Sequence, residues 1–486
     1  MLFNSYAYIF AFLPVSVIGY FLVARKFGVR ISNLWLVLAS LFFYGYWNVE
    51  FLPLLIGSML FNYAVARVIM YLQENRGRGL FQAKYAFWLG IGADIGALCY
   101  FKYMDFFIKN LNRLLGTSWD LWHVVLPLGI SFFSITQMVY LIGVYYYGDG
   151  KKYRDFIDYC LFVSFFPHLL AGPILYHKSM MQQFRQEDLH QPQVENIARG
   201  ISLFVIGLFK KVIIADAMLG PIAEGFSHAG ELGFQESWLL AGLFFFEMYF
   251  DFSGYTDMAV GAARLMNITI PINFNEPFRS KDIGEFWSRW HMSLTSTITA
   301  YIYTPLLMWL GKITVWRSML VTMVTMVVIG AWHGAGWTFI LFGVLQGLAL
   351  GINQMWKRSP VPSLPNSLSR ALTLVFAAWS CILFRADSLP QALEIYTGMV
   401  GLRGWSWPFH LTEGGMFLPG VDGQVIHNLP VTVLFLALWL VSCCHDSNET
   451  VRRMKPNFKW ALLLAGMFVF SVLHFTQVTA FLYFQF

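Results

Sequence analysis

Residues 321–350 read VTMVTMVVIGAWHGAGWTFILFGVLQGLAL and contain no aspartate, glutamate, lysine or arginine. A helix needs about 20 consecutive apolar residues to cross a bilayer, so this stretch predicts membrane-embedded helix. Its one histidine is His333, which stands between Trp332 and Gly334. Polar groups at membrane depth are costly and usually functional. The stretch therefore predicts both the fold class and a candidate functional histidine.

The composition extends this prediction to the whole chain. Of 486 residues, 57% are hydrophobic and 12% are charged, whereas about a quarter of the residues in soluble domains are charged. We therefore predict an all-α, polytopic integral membrane protein, folded as a single domain over residues 1–486, with about 11–13 membrane-embedded helices.

The distribution of charge indicates a topology in the membrane. The net charge of +6 comes from lysines and arginines in short segments such as residues 25–30, 76–84 and 452–459. Short basic loops are typical of the cytoplasmic side, so the charge does not predict a nucleic-acid partner. Residues 7–24 predict an uncleaved anchor with an external N-terminus, and residues 401–428, with a single arginine, predict an external loop.

Several familiar catalytic and metal-binding patterns are absent from the sequence. It has no P-loop, no G-x-S-x-G and no H-E-x-x-H pattern. Its five cysteines show no metal-like spacing, and its histidines and aspartates between residues 251 and 333 lack the i, i+4 spacing of paired ligands. We predict no metal site and no tightly bound cofactor.

A second histidine, His291, lies in residues 281–294, KDIGEFWSRWHMSL. At about 100° per residue, one side of a helix would carry the apolar residues Ile283, Phe286, Trp287, Trp290 and Leu294, and the other side the polar residues Lys281, Asp282, Glu285, Ser288 and Arg289. His291 falls on the margin between the two. The pattern predicts an interfacial helix that offers His291 to a cavity, with a plain interfacial anchor as the alternative.

Polar residues crowd together between the apolar runs, in YFDFSGYTDMAVG from residue 249 and NFNEPF from residue 273. The side chains that would accept hydrogen bonds from sugar hydroxyls are Asp251, Ser253, Tyr255, Asp257, Asn273, Asn275 and Glu276, and those that would face a sugar ring are Tyr249, Phe252 and Tyr255. Two carboxylates six residues apart, those of Asp251 and Asp257, favour a pore or a binding site in this segment. Polar contacts between helices are the alternative.

Among the candidate residues, His333 has the chemistry that best fits a catalytic role. A neutral imidazole can take the proton of an attacking hydroxyl, a step worth roughly 10² to 10⁴ in rate. Gly334 and Gly336 would let a substrate approach the backbone, and their N–H groups would serve an oxyanion. Trp332 and Trp337 would help to exclude water. The alternative is a core histidine that is hydrogen-bonded to a carbonyl.

Several long motifs, in order along the chain, resemble the membrane-bound O-acyltransferases, in particular the bacterial branch with the alginate O-acetyltransferase membrane subunit and the D-alanyl transfer protein. They are LPLGISFF from residue 126, FPHLLAGPI from 166, YFDFSGYTDMAVG from 249, NFNEPFRSKDIGEFWSRWHMSL from 273, GAWHGAGWTFILFGVLQG from 330, FRA from 384 and the terminal FLYFQF. The likeness runs nearly from end to end.

This resemblance implies a ring of helices around a central tunnel in the bacterial inner membrane. An acetyl group from a cytoplasmic donor, acetyl-CoA or another acyl thioester, would pass to hydroxyls of an exported polysaccharide. His333 would be the catalytic base, and His291 matches the family's second histidine. The residues expected along the tunnel are Asp251, Ser253, Tyr255, Asp257, Asn273, Glu276, Trp332 and Gly334.

The resemblance also implies partners, namely periplasmic accessory acetyltransferase or secretion proteins, in addition to membrane lipids. Other acceptors remain open, including peptidoglycan, teichoic acid with an amino-acyl group, and cellulose. From a different functional class, a polysaccharide or acyl-group transporter or flippase would use the same histidines and carboxylates to relay protons.

Overall fold

The computed structural model describes residues 1–75, 82–405, 437, 441 and 445–475. Within these ranges the regular structure is helical, and the pairing of extended backbone is limited to a single antiparallel bridge between Phe274 and Trp290. The predicted all-α class is confirmed. Most of the predicted external loop (residues 406–428), two of the cysteines and the terminal FLYFQF motif lie outside the described residues.

Twenty-one α-helices are described, and we number them in chain order. They are α1 Leu13–Phe27, α2 Val29–Gly45, α3 Leu52–Glu74, α4 Ala83–Leu98, α5 Met104–Leu115, α6 Ile130–Tyr147, α7 Phe156–Ser164, α8 Phe166–Leu169, α9 His177–Gln183, α10 Val194–Phe209, α11 Asp216–Ser227, α12 Phe234–Leu265, α13 Ile283–Arg289, α14 Met292–Ile298, α15 Thr304–Trp309, α16 Val315–His333, α17 Trp337–Trp356, α18 Asn366–Arg385, α19 Leu389–Met399, α20 Ser447–Arg453 and α21 Phe458–Leu473.

Short π-helical and 3₁₀-helical segments adjoin these helices. The described π-helical segments are Tyr8–Phe12, Cys99–Tyr103, Lys210–Ala215 and Thr299–Tyr303, and the 3₁₀ segments are Val49–Phe51, Asp149–Lys151, Glu187–His190 and Pro277–Arg279. Segments with a π period are often found at functional sites. The one at Lys210–Ala215 presents two lysines, which are considered below.

Six helices in the described part of the chain are long and apolar enough to cross a membrane. They are Tyr8–Phe27, Val49–Glu74, Ile130–Tyr147, Val315–His333, Trp337–Trp356 and Asn366–Arg385. A 20-residue helix is about 30 Å long, which matches the hydrocarbon thickness of a bilayer. Large apolar side chains such as Leu22 and Leu320 are exposed on these helices, where they would contact lipid. The protein is therefore a multi-pass membrane protein.

The chain forms two compact units. Of the described residues, those within 1–204 and 258–271 form the first unit, and those within 205–257 and 272–475 form the second. The predicted single domain, the total of about 11–13 embedded helices and the central tunnel stay predictions.

The first unit has an aromatic core and several buried polar contacts. The rings of Tyr8, Phe12 and Phe43 pack against Phe166 with centroids 5.0–6.3 Å apart. Elsewhere in the unit the Asp158 carboxylate accepts hydrogen bonds from Arg185, at 2.7 Å, and from Asn33, at 3.3 Å. The buried Asp158 carboxylate is thus paired, as burial requires.

In the second unit, α16 and α17 form a tightly packed pair joined by three residues. A Cβ atom added to Gly330 or Gly343 would overlap backbone atoms of the facing helix. Small residues allow helices to approach closely in membranes, where dispersion forces replace the hydrophobic effect. This close packing fixes the end of α16, where His333 lies.

Candidate active site with two buried histidines

His333 is the last residue of α16 and is buried. The backbone after it is extended at Gly334 and Gly336 before α17 begins at Trp337. The imidazole ring contacts the rings of Trp332 and Phe384, each with a centroid separation of 4.9 Å. The end of one spanning helix and a ring from α18 therefore define the surroundings of His333.

His291 lies at a break in the segment that the sequence predicted as a helix. Helix α13 ends at Arg289, Trp290 is extended, and α14 begins at Met292. His291 itself has a left-handed backbone conformation, with φ of 46° and ψ of 51°. The prediction of one continuous helix over residues 281–294 is wrong, although its apolar stripe, from Ile283 to Leu294, is buried as expected.

The break has a physical cause in the residues that precede α13. The backbone carbonyl of Asn273 accepts the N–H of Met292 at 2.9 Å, and the N–H of Asn275 donates to the carbonyl of Arg289 at 3.1 Å. These two bonds hold residues 289–292 against residues 273–275 as a short antiparallel pair. Backbone groups used in this way are not available to a continuous helix.

The side chain of Asn273 strengthens the same arrangement. Its Oδ1 atom accepts hydrogen bonds from the Ser293 hydroxyl, at 2.6 Å, and from the Ser293 N–H, at 3.3 Å. Asn273 and Ser293 are both buried. A left-handed conformation is uncommon for a residue other than glycine and needs support from its surroundings. Asn273 supplies that support directly after His291.

The structure brings the two predicted histidines together. The ring centroids of His291 and His333 lie 6.5 Å apart, and Trp332 contacts both rings. Phe252 of α12 packs edge-on against His291 at 4.7 Å. We call His291, His333 and these aromatic rings, with Phe384, the histidine cluster. It combines two titratable groups with an enclosure of apolar rings.

The surroundings hold His291 in its neutral form. This residue lies outside the six spanning helices, and burial lowers its pKa from 6.5 to about 3. Desolvation destabilises the charged imidazolium and so lowers the pKa of a histidine. At neutral pH, His291 is therefore an uncharged ring with one N–H donor and one acceptor nitrogen.

The surroundings of Gly334 and Trp337 differ from the sequence-based expectation. A Cβ atom on Gly334 would overlap the ring of Phe339, so the space beside this glycine is filled by protein. Trp337 is 50% exposed, and Phe384 packs on His333 in its place. The sequence singled out FRA at residues 384–386 only through family likeness.

Asp251 and Asp257, two residues expected along a tunnel, form ion pairs instead of facing open space. Lys211 Nζ lies 2.5 Å from Asp251 and 2.7 Å from Asp216, and Lys210 Nζ lies 2.8 Å from Asp257. We call these five residues the lysine–carboxylate cluster. Neither lysine was predicted as a site residue, although two adjacent lysines within the apolar segment FVIGLFKKVIIADAM indicate buried charge that needs a partner.

Among the remaining predicted site residues, two are buried and one forms ion pairs. Ser253 and Tyr255 are buried in α12. Glu276 has a left-handed backbone conformation and pairs with His445 at 2.7 Å and Arg279 at 3.1 Å. The lining of a tunnel by these residues stays a prediction.

The histidine cluster has the chemistry of a general acid–base site. A neutral imidazole can accept a proton from a hydroxyl and return it to a leaving group, and aromatic rings pack on both imidazoles. No three histidine, cysteine, aspartate or glutamate side chains in the described ranges lie together in a way that could hold a metal ion. Fold and site together define a multi-pass membrane protein with a buried histidine pair.

Comparisons with known proteins identify its family. The family model described as MBOAT, membrane-bound O-acyltransferase family, matches residues 147–387, a range that includes both histidines. The peptidoglycan O-acetyltransferase of Helicobacter pylori is 37% identical to this chain, with 100% of this chain and 98% of the relative covered. The probable alginate O-acetylase AlgI of Pseudomonas putida is 32% identical, with both chains covered completely.

A more distant relative is the teichoic acid D-alanyltransferase of Streptococcus thermophilus, which is 29% identical over 48% of this chain and 57% of its own length. The chain belongs to the membrane-bound O-acyltransferase family. The predicted family is confirmed, and the protein is an acyltransferase.

Proposed function

We propose that this protein is an O-acetyltransferase of the bacterial inner membrane that acetylates hydroxyls of an exported polysaccharide, with His333 as the general base. The observation that carries the proposal is the pairing of two buried histidines, 6.5 Å apart, inside an aromatic enclosure. The names of the relatives supply the acceptor class, since one acts on peptidoglycan and another is a probable alginate acetylase.

The reaction balances without a covalent enzyme intermediate. The acceptor oxygen attacks the carbonyl carbon of the donor thioester, and the neutral His333 imidazole takes the hydroxyl proton. The C–S bond then breaks, and the imidazolium returns the proton to the leaving thiolate. The products are an O-acetyl ester and a free thiol. His291, neutral beside His333, orients the reacting groups by hydrogen bonding.

The donor and the route follow from the membrane setting. Acetyl-CoA, or another acyl thioester, is made in the cytoplasm, whereas an exported polysaccharide lies on the other side. A central tunnel through the protein would let the acetyl group reach the acceptor. Periplasmic accessory acetyltransferases or secretion proteins would complete the transfer onto the polymer. The proposed reaction thus uses a cytoplasmic thioester donor, a central tunnel and periplasmic partners.

The experiment compares His333→Ala and His333→Gln with the wild-type protein in cells that export the polysaccharide. We expect ester-linked acetate to fall by about 10² to 10⁴ at equal membrane levels of the protein, the range for a well-placed general base. The matched control is His228→Ala, which removes a partly exposed histidine that pairs with Glu224 and should leave acetylation unchanged.

Two results would overturn the proposal. Acetylation retained in both His333 variants would remove the general base, and lost polysaccharide export with unchanged acetylation would indicate a transporter. If His333→Ala failed to accumulate in the membrane, His333→Gln, which retains hydrogen-bonding capacity, would separate a structural role from a catalytic one.

A further inference from the structure

Helix α12 contains a buried glutamate that belongs to neither of the two clusters described above. Glu247 lies four residues before Asp251, and residues at this spacing are neighbours on the same side of a helix. Glu247 is 2% exposed, and Asp251 is fully buried. Two carboxyl groups are therefore buried one helical turn apart, and one of them pairs with Lys211.

Lys211 acts electrostatically on Glu247, but two other carboxylates already share its ammonium group. Its Nζ atom lies 2.5 Å from Asp251 and 2.7 Å from Asp216. Among the residues that the structure describes, Glu247 forms no ion pair, and its Oε2 atom has no hydrogen-bond partner. Three carboxyl groups thus adjoin one lysine, and the third has no cation of its own.

Arg385 is the second cation that acts on Glu247, and it is also engaged elsewhere. It is the last residue of α18, and its guanidinium group lies 3.6 Å from the Asp387 carboxylate. The same group lies over the ring of Phe226, 5.3 Å from the ring centroid. Neither cation can therefore neutralise an ionised Glu247 without a rearrangement of its present contacts.

The cost of burying an unpaired charge determines the state of Glu247. A buried carboxylate without a cation is far less favourable than a buried neutral carboxyl group, so such a group takes up a proton. Glu247 lies outside the six spanning helices. Burial, and then the charges of Asp251 and Asp216, raise the pKa of Glu247 well above 4.5, and Lys211 and Arg385 oppose the shift.

We propose that Glu247 is a proton-binding site, which holds a proton at neutral pH and slows acetyl transfer when it ionises, by drawing Arg385 away from Asp387. The inference rests on the proposed function, because acetyl transfer is the activity that this proton controls. On ionisation the carboxyl O–H bond breaks, the electron pair stays on the carboxylate, and the proton passes to water. The new carboxylate then competes with Asp387 for the same guanidinium group.

The end of α18 connects this site with the proposed catalytic base. Phe384 directly precedes Arg385, and its ring packs on His333 with a centroid separation of 4.9 Å and on Phe339 at 5.2 Å. A shift of Arg385 toward Glu247 moves the end of α18 and hence the ring that contacts His333. Protein interiors are close-packed, so neighbouring side chains transmit such a shift.

The first test detects the proton directly, by infrared spectroscopy of the full-length protein in lipid nanodiscs. A protonated carboxyl group has a carbonyl stretch that is separate from the bands of carboxylates. We expect Glu247→Gln to remove one carboxyl equivalent from this band at pH 7. The matched control, Glu231→Gln at an exposed glutamate, should leave the band unchanged. An unchanged band in Glu247→Gln would overturn the inference.

The second test measures stability against pH. The unfolded chain exposes Glu247, which then titrates near 4.5, so folding at higher pH requires the uptake of a proton. Because the folded pKa is raised, this contribution to stability is present below pH 4.5 and is lost as the pH rises. The folding equilibrium constant of the wild type, relative to Glu247→Gln, should fall about tenfold per pH unit over this range.

Two results of the second test would contradict the proton site. One is an unfolding midpoint of Glu247→Gln that equals or falls below that of the wild type at pH 8. The other is failure of Glu247→Gln to accumulate in the membrane, because an amide is the closest neutral substitute for a protonated carboxyl group.

The third test measures acetyl transfer against pH. Glu247→Gln should have close to wild-type activity at pH 7 and should lose severalfold less of it at alkaline pH. Arg385→Gln should keep the carboxyl band and also resist the alkaline loss, because the cation that favours ionisation of Glu247 is absent. If all three proteins lost activity at the same alkaline pH, the coupling of Glu247 to acetyl transfer would be wrong.

The proton site and the proposed function can fail separately. If no ester forms at any pH, the proposed function is contradicted, and the infrared and stability measurements still decide whether Glu247 holds a proton. If esters form and Glu247→Gln leaves the carboxyl band unchanged, the proton site is contradicted and the proposed function stands.

Discussion

The histidine cluster and the lysine–carboxylate cluster are both buried in the second unit, and they use titratable groups in different ways. In the histidine cluster, two imidazoles are surrounded by Trp332, Phe252 and Phe384. In the lysine–carboxylate cluster, Lys210 and Lys211 lie 2.5–2.8 Å from their aspartates. One set of groups is enclosed by apolar rings, and the other is neutralised by opposite charge.

This difference distinguishes groups that can accept a proton from groups that stabilise the fold. A histidine can be buried in its neutral form at modest cost, and it keeps the ability to accept a proton. The charge of an aspartate buried beside a lysine is compensated by the ion pair. We therefore propose that the histidine cluster carries out the acid–base chemistry and that the lysine–carboxylate cluster maintains the fold. The following variants test this division.

The largest expected effect on stability comes from Lys211→Met. This change leaves Asp251 and Asp216 without the ammonium group that lies within 2.7 Å of both. Removal of one partner from a buried ion pair costs about 3–5 kcal/mol. We expect a large drop in membrane level and in the unfolding midpoint of the detergent-solubilised protein.

Asp251→Asn is the matched control for this prediction, because Lys211 keeps Asp216 as its partner. Its effect on the unfolding midpoint should be clearly smaller. Equal effects of the two variants, or a stable Lys211→Met protein that has lost acetyl transfer, would contradict the structural role of the cluster.

A smaller effect on stability is expected at the histidine cluster, where packing replaces charge. Gly334→Ala places a methyl group into the ring of Phe339, and overpacking of this kind typically costs about 1–3 kcal/mol. Gly336→Ala is the matched control, because its nearest contact, also with Phe339, is an ordinary 3.4 Å. Thermal unfolding in detergent compares the two. A wild-type midpoint for Gly334→Ala would show that the ring moves freely.

Much of the fold class and the identity of the two histidines were predictable from the sequence. The apolar run around His333 indicated a membrane helix, and the stripe of apolar residues in 281–294 correctly identified the buried side. Periodicity records which face of a segment is apolar, and it contains no information on which distant residue fills the facing space.

The features that the sequence did not predict all depend on contacts between distant segments. The helix break at His291 comes from pairing with Asn273, the ion pairs with Asp251 and Asp257 come from lysines 40 and 47 residues earlier in the chain, and Phe384 reaches His333 from another helix. Local propensity describes a segment in isolation, and tertiary hydrogen bonds can override it.

The third prediction concerns the residue that supports the left-handed turn at His291. Asn273→Ala removes the Oδ1 acceptor for the Ser293 hydroxyl and N–H, whereas Asn273→Asp retains it. Loss of hydrogen bonds to a buried acceptor costs about 0.5–1.5 kcal/mol each. We expect Asn273→Ala to lower kcat for acetyl transfer about tenfold with little change in KM, and Asn273→Asp, which keeps the acceptor but places an unpaired charge at a buried position, to recover activity only in part.

Ser293→Ala should act in the same direction as Asn273→Ala but more weakly, because the Ser293 N–H bond to Asn273 remains. Ser296→Ala is the control, since that hydroxyl bonds only within its own helix turn. A parallel change of kcat and thermal stability in Asn273→Ala, Asn273→Asp, Ser293→Ala and Ser296→Ala would contradict this prediction. Asn273 would then be a general structural residue with no specific effect on His291.

The smallest effect is expected at a partly exposed ion pair at the start of α13, the helix before His291. The Asp282 carboxylate accepts the N–H groups of Gly284 and Glu285 and pairs with Lys357 at 2.8 Å. Burial raises the pKa of Asp282, but the hydrogen bond from Lys357 and the two N–H groups outweigh burial and lower the pKa below 3.8. Because the folded pKa is lower than the unfolded one, the pair stabilises the fold above pH 3.8 and loses this effect as the pH falls.

Asp282→Asn should therefore lower stability by up to about 1 kcal/mol at pH 7, since exposed ion pairs contribute little. The difference in unfolding midpoint from the wild type should shrink as the pH is lowered below 3.8, where the wild-type carboxylate also loses its charge. Added salt should reduce the difference at pH 7, whereas the effect of Lys211→Met on the buried cluster should persist in salt. Asparagine is as good a helix cap as aspartate, so this substitution removes mainly the pairing with Lys357, and a salt-insensitive effect of Asp282→Asn would contradict the assignment.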